Sequence, residues 1–303
     1  MNIKTNIENS VAAHYDASAK NYSEQYRREF LTDTNRPYPA NYFRLQQLIN
    51  SFVNKGVKRV VEVGVGEGTP LSTLGKAGID VWGFDISEEM VLKSKLTMKN
   101  NGMDAEKIFW GDIQDSVSYA PILKEGQFDA LLAMGVMPHV HNDTLALRNM
   151  SNMVKPGGSV FIEFRNKLFS LFTFNRYTYE FIMDDLLAGV APALKDQVGK
   201  DLSKRLEMNL PSPRKMHDED NAAPGYDAIL SKFHNPFEVE KMFKENGFTD
   251  FNLHWYHYHP AMPFLQNNDK DLFRNEALRL EHDELGWRGM FLCSAFVVEA
   301  IKK

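Results

Sequence analysis

The chain reads as an α/β protein with a parallel, doubly wound sheet of seven strands. Three observations predict it. From Lys58 onward, short β-branched runs alternate with helical stretches, the rhythm of βαβ units. The first run, Arg59-Val60-Val61-Glu62-Val63, ends in a glycine loop, Gly64-Val65-Gly66-Glu67-Gly68. Asp85 and Asp112 stand where the next two runs stop, at the strand ends where open α/β sheets bind ligands.

The elements follow in order. Residues 1–56 look helical, with Tyr15, Tyr22 and Tyr26 at helix-like intervals and Arg36-Pro37-Tyr38-Pro39 as a break. A second helix, Asn41 to Phe52, sets Phe43, Leu45, Leu48, Ile49 and Phe52 largely on one side, and Gly56 ends it. After the glycine loop, Thr69 reads as an N-cap and Pro70 as the first helical residue. Val81 to Phe84 is the second strand, and Ser87 caps the next helix with Glu88 and Glu89 at its positive end. Lys107 to Trp110 is the third strand. Phe128 to Met134 is the fourth, apolar throughout, as a strand covered on both faces should be. Lys155-Pro156-Gly157-Gly158 turns into the fifth, Ser159 to Phe164. Residues 167–232 are too long for a simple connection and rich in aromatics, which predicts a helical insertion. A helix near Pro236–Asn246 and strands at Asp250–Tyr258 and Met290–Ile301 complete the sheet. The expected organisation is a helical lid over 1–56, a cofactor-binding core over 57–166, a helical insertion and substrate lid over 167–232, and the rest of the core sheet over 233–303.

Composition narrows the function. Of 303 residues, 43% are apolar and 25% charged, a globular balance. Lys and Arg number 35 against 40 Asp and Glu, a net charge of −5, which suits neither a general nucleic-acid binder nor a binder of anionic membranes. Cys293 is the only cysteine, so an internal disulfide and a Cys-rich zinc site are excluded. No run of eighteen apolar residues occurs, and the first twenty residues lack the apolar core of a signal peptide. A cytoplasmic protein acting on a small molecule is expected, with no nucleic-acid or membrane partner.

The glycine loop separates the nucleotide folds. A dinucleotide fingerprint needs G-x-G-x-x-G/A, and here Gly64 and Gly66 fit but Thr69 holds the third position. No Gly-Lys-Ser/Thr follows, so a P-loop is absent. The segment Glu62 to Gly68 instead resembles the first motif of class I S-adenosylmethionine (SAM)-dependent methyltransferases. Further motifs follow in order. Gly83-Phe84-Asp85-Ile86-Ser87-Glu88-Glu89-Met90 resembles the second, whose acid binds the ribose hydroxyls. Gly111-Asp112-Ile113 resembles the third, whose acid faces the adenine amino group. Phe128-Asp129 through Val136-Met137-Pro138-His139-Val140 resembles the fourth, which lines the methyl-transfer site. Leu147 through Gly158 resembles the helix and turn before strand five.

This resemblance implies a Rossmann-like sheet of seven strands, six parallel and the last antiparallel, SAM as cofactor, held by Glu62, Gly64, Gly66, Gly68, Asp85, Ile86, Asp112, Ile113 and Met134, and methyl transfer to a small-molecule acceptor. His139 is a base or a residue shaping the cofactor pocket. A base argues for an alcohol or phenol, so oxygen is favoured over nitrogen. Two other readings stay open: a SAM-binding regulator without catalysis, and a NAD-type oxidoreductase, disfavoured by Thr69. Arg165 ends strand five and Arg176 follows eleven residues later among Phe169, Phe172, Phe174 and Tyr177. Arginine grips carboxylate and phosphate bidentately. Arg165, Arg176, Tyr177 and Tyr22 are therefore the candidate acceptor residues, for an anionic sugar or nucleotide-linked metabolite. His254, His257 and His259 read as polar and aromatic packing near the rim, and no metal-ligand set is read.

Overall fold

The structure, a computed structural model, describes residues 10–16, 26–212 and 229–303. Seven strands, β1 (Arg59–Val63), β2 (Asp80–Asp85), β3 (Ile108–Trp110), β4 (Phe128–Ala133), β5 (Val154–Arg165), β6 (Phe248–Tyr258) and β7 (Cys293–Lys302), form one sheet in the order β3-β2-β1-β4-β5-β7-β6. β7 runs antiparallel to β5 and β6, as the family resemblance implies.

Helices cover both faces. These are α1 (10–16), α2 (Ala40–Lys55), α3 (Thr69–Lys76), α4 (Glu88–Asn100), α5 (Ala120–Lys124) and α6 (Asp143–Met153). Beyond β5 come α7 (Ser170–Thr173), α8 (Arg176–Glu180), α9 (Pro192–Arg205), α10 (Pro236–Glu245), α11 (Lys270–Leu280) and α12 (Gly289–Leu292). Strand alternation sorts the core in two. Val61, Leu131 and Ile162 pack with Leu147 of α6 and Phe243 of α10. Val60, Leu132 and Phe161 pack with Phe52 of α2 and Leu71 of α3. Each such buried side chain is worth about 1.5–3 kcal/mol. Among the described residues no helix is long and apolar enough to cross a membrane.

Register positions the site. Val63 lies opposite both Phe84 and Ala133. The next residues, Gly64, Asp85 and Met134, therefore arrive together at the carboxyl edge. Ser87 caps α4 as expected, its hydroxyl accepting the Met90 N–H. The cap of α3 differs from expectation. It is Gly68, in the left-handed region at φ 89°, and Thr69 is already helical. A Cβ at Gly68 would sit 2.7 Å from Ser94 Oγ, so the tight seat of the loop on α4 admits no side chain there.

Three further departures have physical causes. The expected helix does not continue past Tyr26: residues 27–39 are irregular apart from one 3₁₀ turn, Arg28–Phe30. Arg274 of α11 holds this segment, donating to the carbonyls of Phe30 (3.0 Å), Leu31 (3.0 Å) and Arg36 (2.8 Å). Tyr22 lies outside the described residues. The insertion after β5 is helical as predicted. A second helical excursion, α11 and α12, separates β6 from β7, within the block expected to complete the sheet. For this reason β7 begins at Cys293 and Met290 lies in a helical turn.

Candidate functional site

A cavity opens at the carboxyl edge of β1, β2 and β4. Gly64, Asp85, Ile86, Asp112, Ile113, Met134 and His139 line it, together with Val11 and Tyr15 from α1. Seven residues read as cofactor or catalytic positions from sequence thus share one space. Gly66 and Gly68 support it from the loop behind.

Asp85 is clamped. Its Oδ2 accepts the Gly66 N–H at 2.9 Å and its Oδ1 the Ser87 N–H at 2.9 Å. Burial pushes its pKa up to about 6 despite those two donors, with the charge of Asp16 adding. Asp16 of α1 accepts the Ser87 hydroxyl, which docks α1 onto the start of α4. Asp112 accepts the Gln114 N–H at 2.8 Å. Gln114 Oε1 in turn accepts the N–H groups of His141 (3.0 Å) and Asn142 (2.9 Å), tying the β3 loop to the β4 loop. Neither aspartate caps a helix; Ser87 and Asn142 do.

Glu62 is buried at the end of β1, and its Oε2 has no partner among the described residues. Burial raises its pKa well above the carboxylate range, and Arg44 opposes this. A buried carboxylate oxygen without a donor fits an ammonium group. Gly64 has φ 74°, and a Cβ there would meet Val136 Cγ2 at 2.6 Å, so the backbone alone borders the cavity.

Sequence reasoning missed a polar layer beside this site. Arg44 of α2 is buried in an ion pair with Glu163 of β5 and donates to the Tyr26 hydroxyl at 3.1 Å. The Arg44 guanidinium also lies over the ring of Tyr256 of β6 at 6.0 Å. A signal was present. Arg44 shares the buried stripe of α2 with Leu45, Leu48 and Phe52, and a charge on such a stripe needs a buried partner.

His139 is fixed at both nitrogens. Nδ1 lies 2.7 Å from the Leu230 carbonyl, which can only accept, so Nδ1 carries the proton. Nε2 therefore accepts, and the Tyr15 hydroxyl donates to it at 2.8 Å. Burial pushes the His139 pKa down to about 4; the Leu230 bond opposes this, and the charges of Arg165 and Lys232 add to it. Arg165 donates to Ser231 Oγ at 3.0 Å and lies over the Phe233 ring at 5.8 Å. Tyr177 packs on that same ring at 5.4 Å. Arg176 pairs with Glu180 at 3.6 Å and covers its neighbour Tyr177 at 4.7 Å, and Arg165, Arg176 and Tyr177 all lie outside the cavity lining.

A Rossmann-like sheet whose β7 is reversed, with this cavity at its carboxyl edge, is the architecture that the resemblance to class I SAM-dependent methyltransferases implies. The methyltransferase domain family matches residues 38–254, and the chain belongs to it. The cofactor that its sequence motifs imply is SAM. Among curated proteins the chain is similar to ubiquinone biosynthesis O-methyltransferases. It is 28% identical to that of Dechloromonas aromatica over 46% of this chain and 59% of the relative. It is 27% identical to that of Pseudomonas fluorescens over 61% of this chain and 75% of the relative. The chain spans about half the length of the first relatives it matches, 59% of the Dechloromonas aromatica protein and 44% of that of Escherichia coli O7:K1. Among solved structures, magnesium protoporphyrin IX methyltransferase of Synechocystis PCC 6803 with bound SAM shares the fold. Its TM-score is 0.52 at 11% identity, with 100% of each chain covered.

Proposed function

We propose that this chain methylates a hydroxyl group of a small-molecule acceptor, with His139 as the base. The observation that carries this reading is the hydrogen bond from the Tyr15 phenol to His139 Nε2, at 2.8 Å, inside the cofactor cavity. It is a hydroxyl donating to a neutral imidazole held in one tautomer. An acceptor hydroxyl placed there meets the same lone pair, and Nε2 can take its proton. The names of the O-methyltransferase relatives support oxygen as the methylated atom.

The cofactor roles follow the donor sets. Asp85 takes the ribose hydroxyls, Glu62 the ammonium and Asp112 the adenine edge, with Ile86 and Ile113 as apolar walls. SAM, when bound, supplies an electrophilic methyl group. Tyr15 and Val11 roof the cavity and exclude water, as methyl transfer requires. Arg165, whose charge reaches His139, holds an anionic group on the acceptor.

The test is methyl transfer from methyl-labelled SAM to matched phenols, alcohols and amines of the same skeletons. Labelled ethers are the expected products, and the His139→Gln variant should make far less of them. Labelled amines alone, or ether formation unchanged in that variant, would overturn the reading.

A further inference from the structure

A second cavity, of about 120 Å³, lies between the end of β6 and α11, apart from the cofactor site. His257, His259, Lys270 and Arg274 line it, with Thr34 and Gln266. His259 is the first pointer to a ligand. Both its ring nitrogens are buried and have no partner among the described residues. The ring is packed against Phe169 at 4.6 Å and His257 at 4.9 Å, with Phe273 edge-on at 6.4 Å. A buried imidazole without a partner has lost its water for nothing, and a polar ligand in the cavity restores the missing bond.

Charge is the second pointer. Arg274 spends its guanidinium on three backbone carbonyls rather than on a carboxylate. Lys270 is exposed at the start of α11 and forms no ion pair among the described residues. Three carboxylates stand near, and each already accepts hydrogen bonds; Asp33 accepts the Asn35 N–H at 3.0 Å. Asp271 accepts the Thr34 hydroxyl at 2.9 Å. Glu281 accepts the Tyr38 hydroxyl (2.9 Å) and the N–H groups of Tyr258 (2.9 Å) and His257 (3.2 Å). The cavity lining is thus rich in donors, with two cationic side chains among them.

Backbone geometry is the third. His257 sits at φ 60°, unusual for a residue with a side chain, and Glu281 holds it there through the His257 N–H. The turn stacks its ring on Tyr38, at 5.4 Å and 4°, and sets Nδ1 2.9 Å from Ser294 Oγ. It also carries His259 to the cavity wall.

We propose that this cavity binds an oxyanion, the phosphate or carboxylate of a small molecule, with His259 and Lys270 as its donors. The imidazole N–H and the ammonium make charge-assisted bonds, and Arg274 supplies fixed positive potential. The site rests on its own lining and not on the methyl-transfer reading. Two sources share this chemistry: an anionic end of the acceptor, and a free anion acting as an effector.

The test is calorimetric titration of inorganic phosphate into the full chain at constant ionic strength, with neither SAM nor acceptor present. Saturable one-to-one binding is expected. Lys270→Ala should weaken it by about tenfold. His259→Phe, which keeps the packing on Phe169 and removes both nitrogens, should weaken it at least as much. Should His259→Phe fail to fold, wild-type protein carrying ¹⁵N-histidine decides, because one buried imidazole signal should move with phosphate and not with chloride. Absence of saturable binding, or binding unchanged in Lys270→Ala with no histidine signal moving, overturns the proposal. With an acceptor in hand, phosphate that competes with it assigns the anion to the acceptor. Phosphate that binds without competing assigns it to an effector. Because the titration contains no SAM, its failure is separate from any failure of the methyl-transfer reading.

Discussion

The guanidinium of Arg44 is buried against the carboxylate of Glu163, joining α2 to β5 beside the cofactor cavity. Glu163 Oε2 lies 4.0 Å from where a Cβ on Gly135 would stand, and Gly135 lines that cavity. The pair is therefore part of the support on which the site rests. Removing one member strands the other charge, at a cost of about 3–5 kcal/mol. Arg44→Met and Glu163→Leu should each lower unfolding stability by that order in urea denaturation. The double variant strands no charge and should recover much of the loss. Additive losses in the double variant would show that the two residues act separately.

With Asp85 on the ribose, as proposed, SAM affinity should depend on pH. Its pKa is about 6 in the folded chain against an ordinary 3.8, so between those values the folded state holds more proton than the unfolded one. Its own contribution to stability is full at low pH and is lost as pH rises through about 6. Cofactor binding runs the other way, because the ribose hydroxyls need the ionised carboxylate as acceptor. SAM affinity should fall below pH 6 by up to about tenfold per pH unit. Asp85→Ala should weaken SAM by about tenfold or more at pH 8 and remove that dependence. Calorimetry between pH 5 and 8 checks both, and a flat wild-type profile would count against Asp85 as the ribose ligand.

The parts of this site that sequence made legible are those carried by strand ends. Gly64, Asp85, Asp112 and Met134 each follow a β-branched or apolar run, and parallel register brings such positions to one edge. The illegible parts depend on contacts between distant segments. Tyr15 meets His139 across 124 positions, and Arg274 holds Arg36 across 238. No local periodicity encodes either. The second excursion between β6 and β7 did carry a local mark. Asp269 caps α11 by accepting the Leu272 N–H at 2.9 Å, a helix start that is readable once a helix is sought there.

His139 should act as a base without an acid limb of its own near neutrality. Its pKa is about 4, below the ordinary 6.5, so the folded chain binds fewer protons than the unfolded one between those values. The stability it contributes is present above pH 6.5 and is lost as pH falls through about 4. His139→Gln should lower kcat by about 10²–10⁴-fold and leave SAM affinity unchanged. Tyr15→Phe removes the hydroxyl that occupies Nε2. An acceptor hydroxyl then displaces nothing, and its KM should fall by a few-fold, the worth of about one hydrogen bond. A rise in acceptor KM would instead make Tyr15 an acceptor ligand.

The two arginines of the β5 segment should separate in acceptor kinetics. Arg165 ends β5, reaches His139 electrostatically, and shares the Phe233 ring with Tyr177. An anionic group on an acceptor at His139 thus finds a guanidinium already braced by Ser231 and an aromatic face. Arg176 sits on α8 with Glu180 one turn away and Tyr177 beneath it. That ion pair is half-exposed, so it is worth little and leaves little to lose. Arg165→Ala should raise acceptor KM by about tenfold or more and leave SAM affinity alone, since only acceptor binding loses a charged partner. Arg176→Ala should leave both within about twofold, because a surface change of this kind is usually worth within about 0.5 kcal/mol. Steady-state kinetics with one anionic acceptor and its neutral isostere read the difference. The Arg165 effect should vanish with the neutral compound, and an equal loss with both would assign Arg165 to the shape of the cavity rather than to charge recognition.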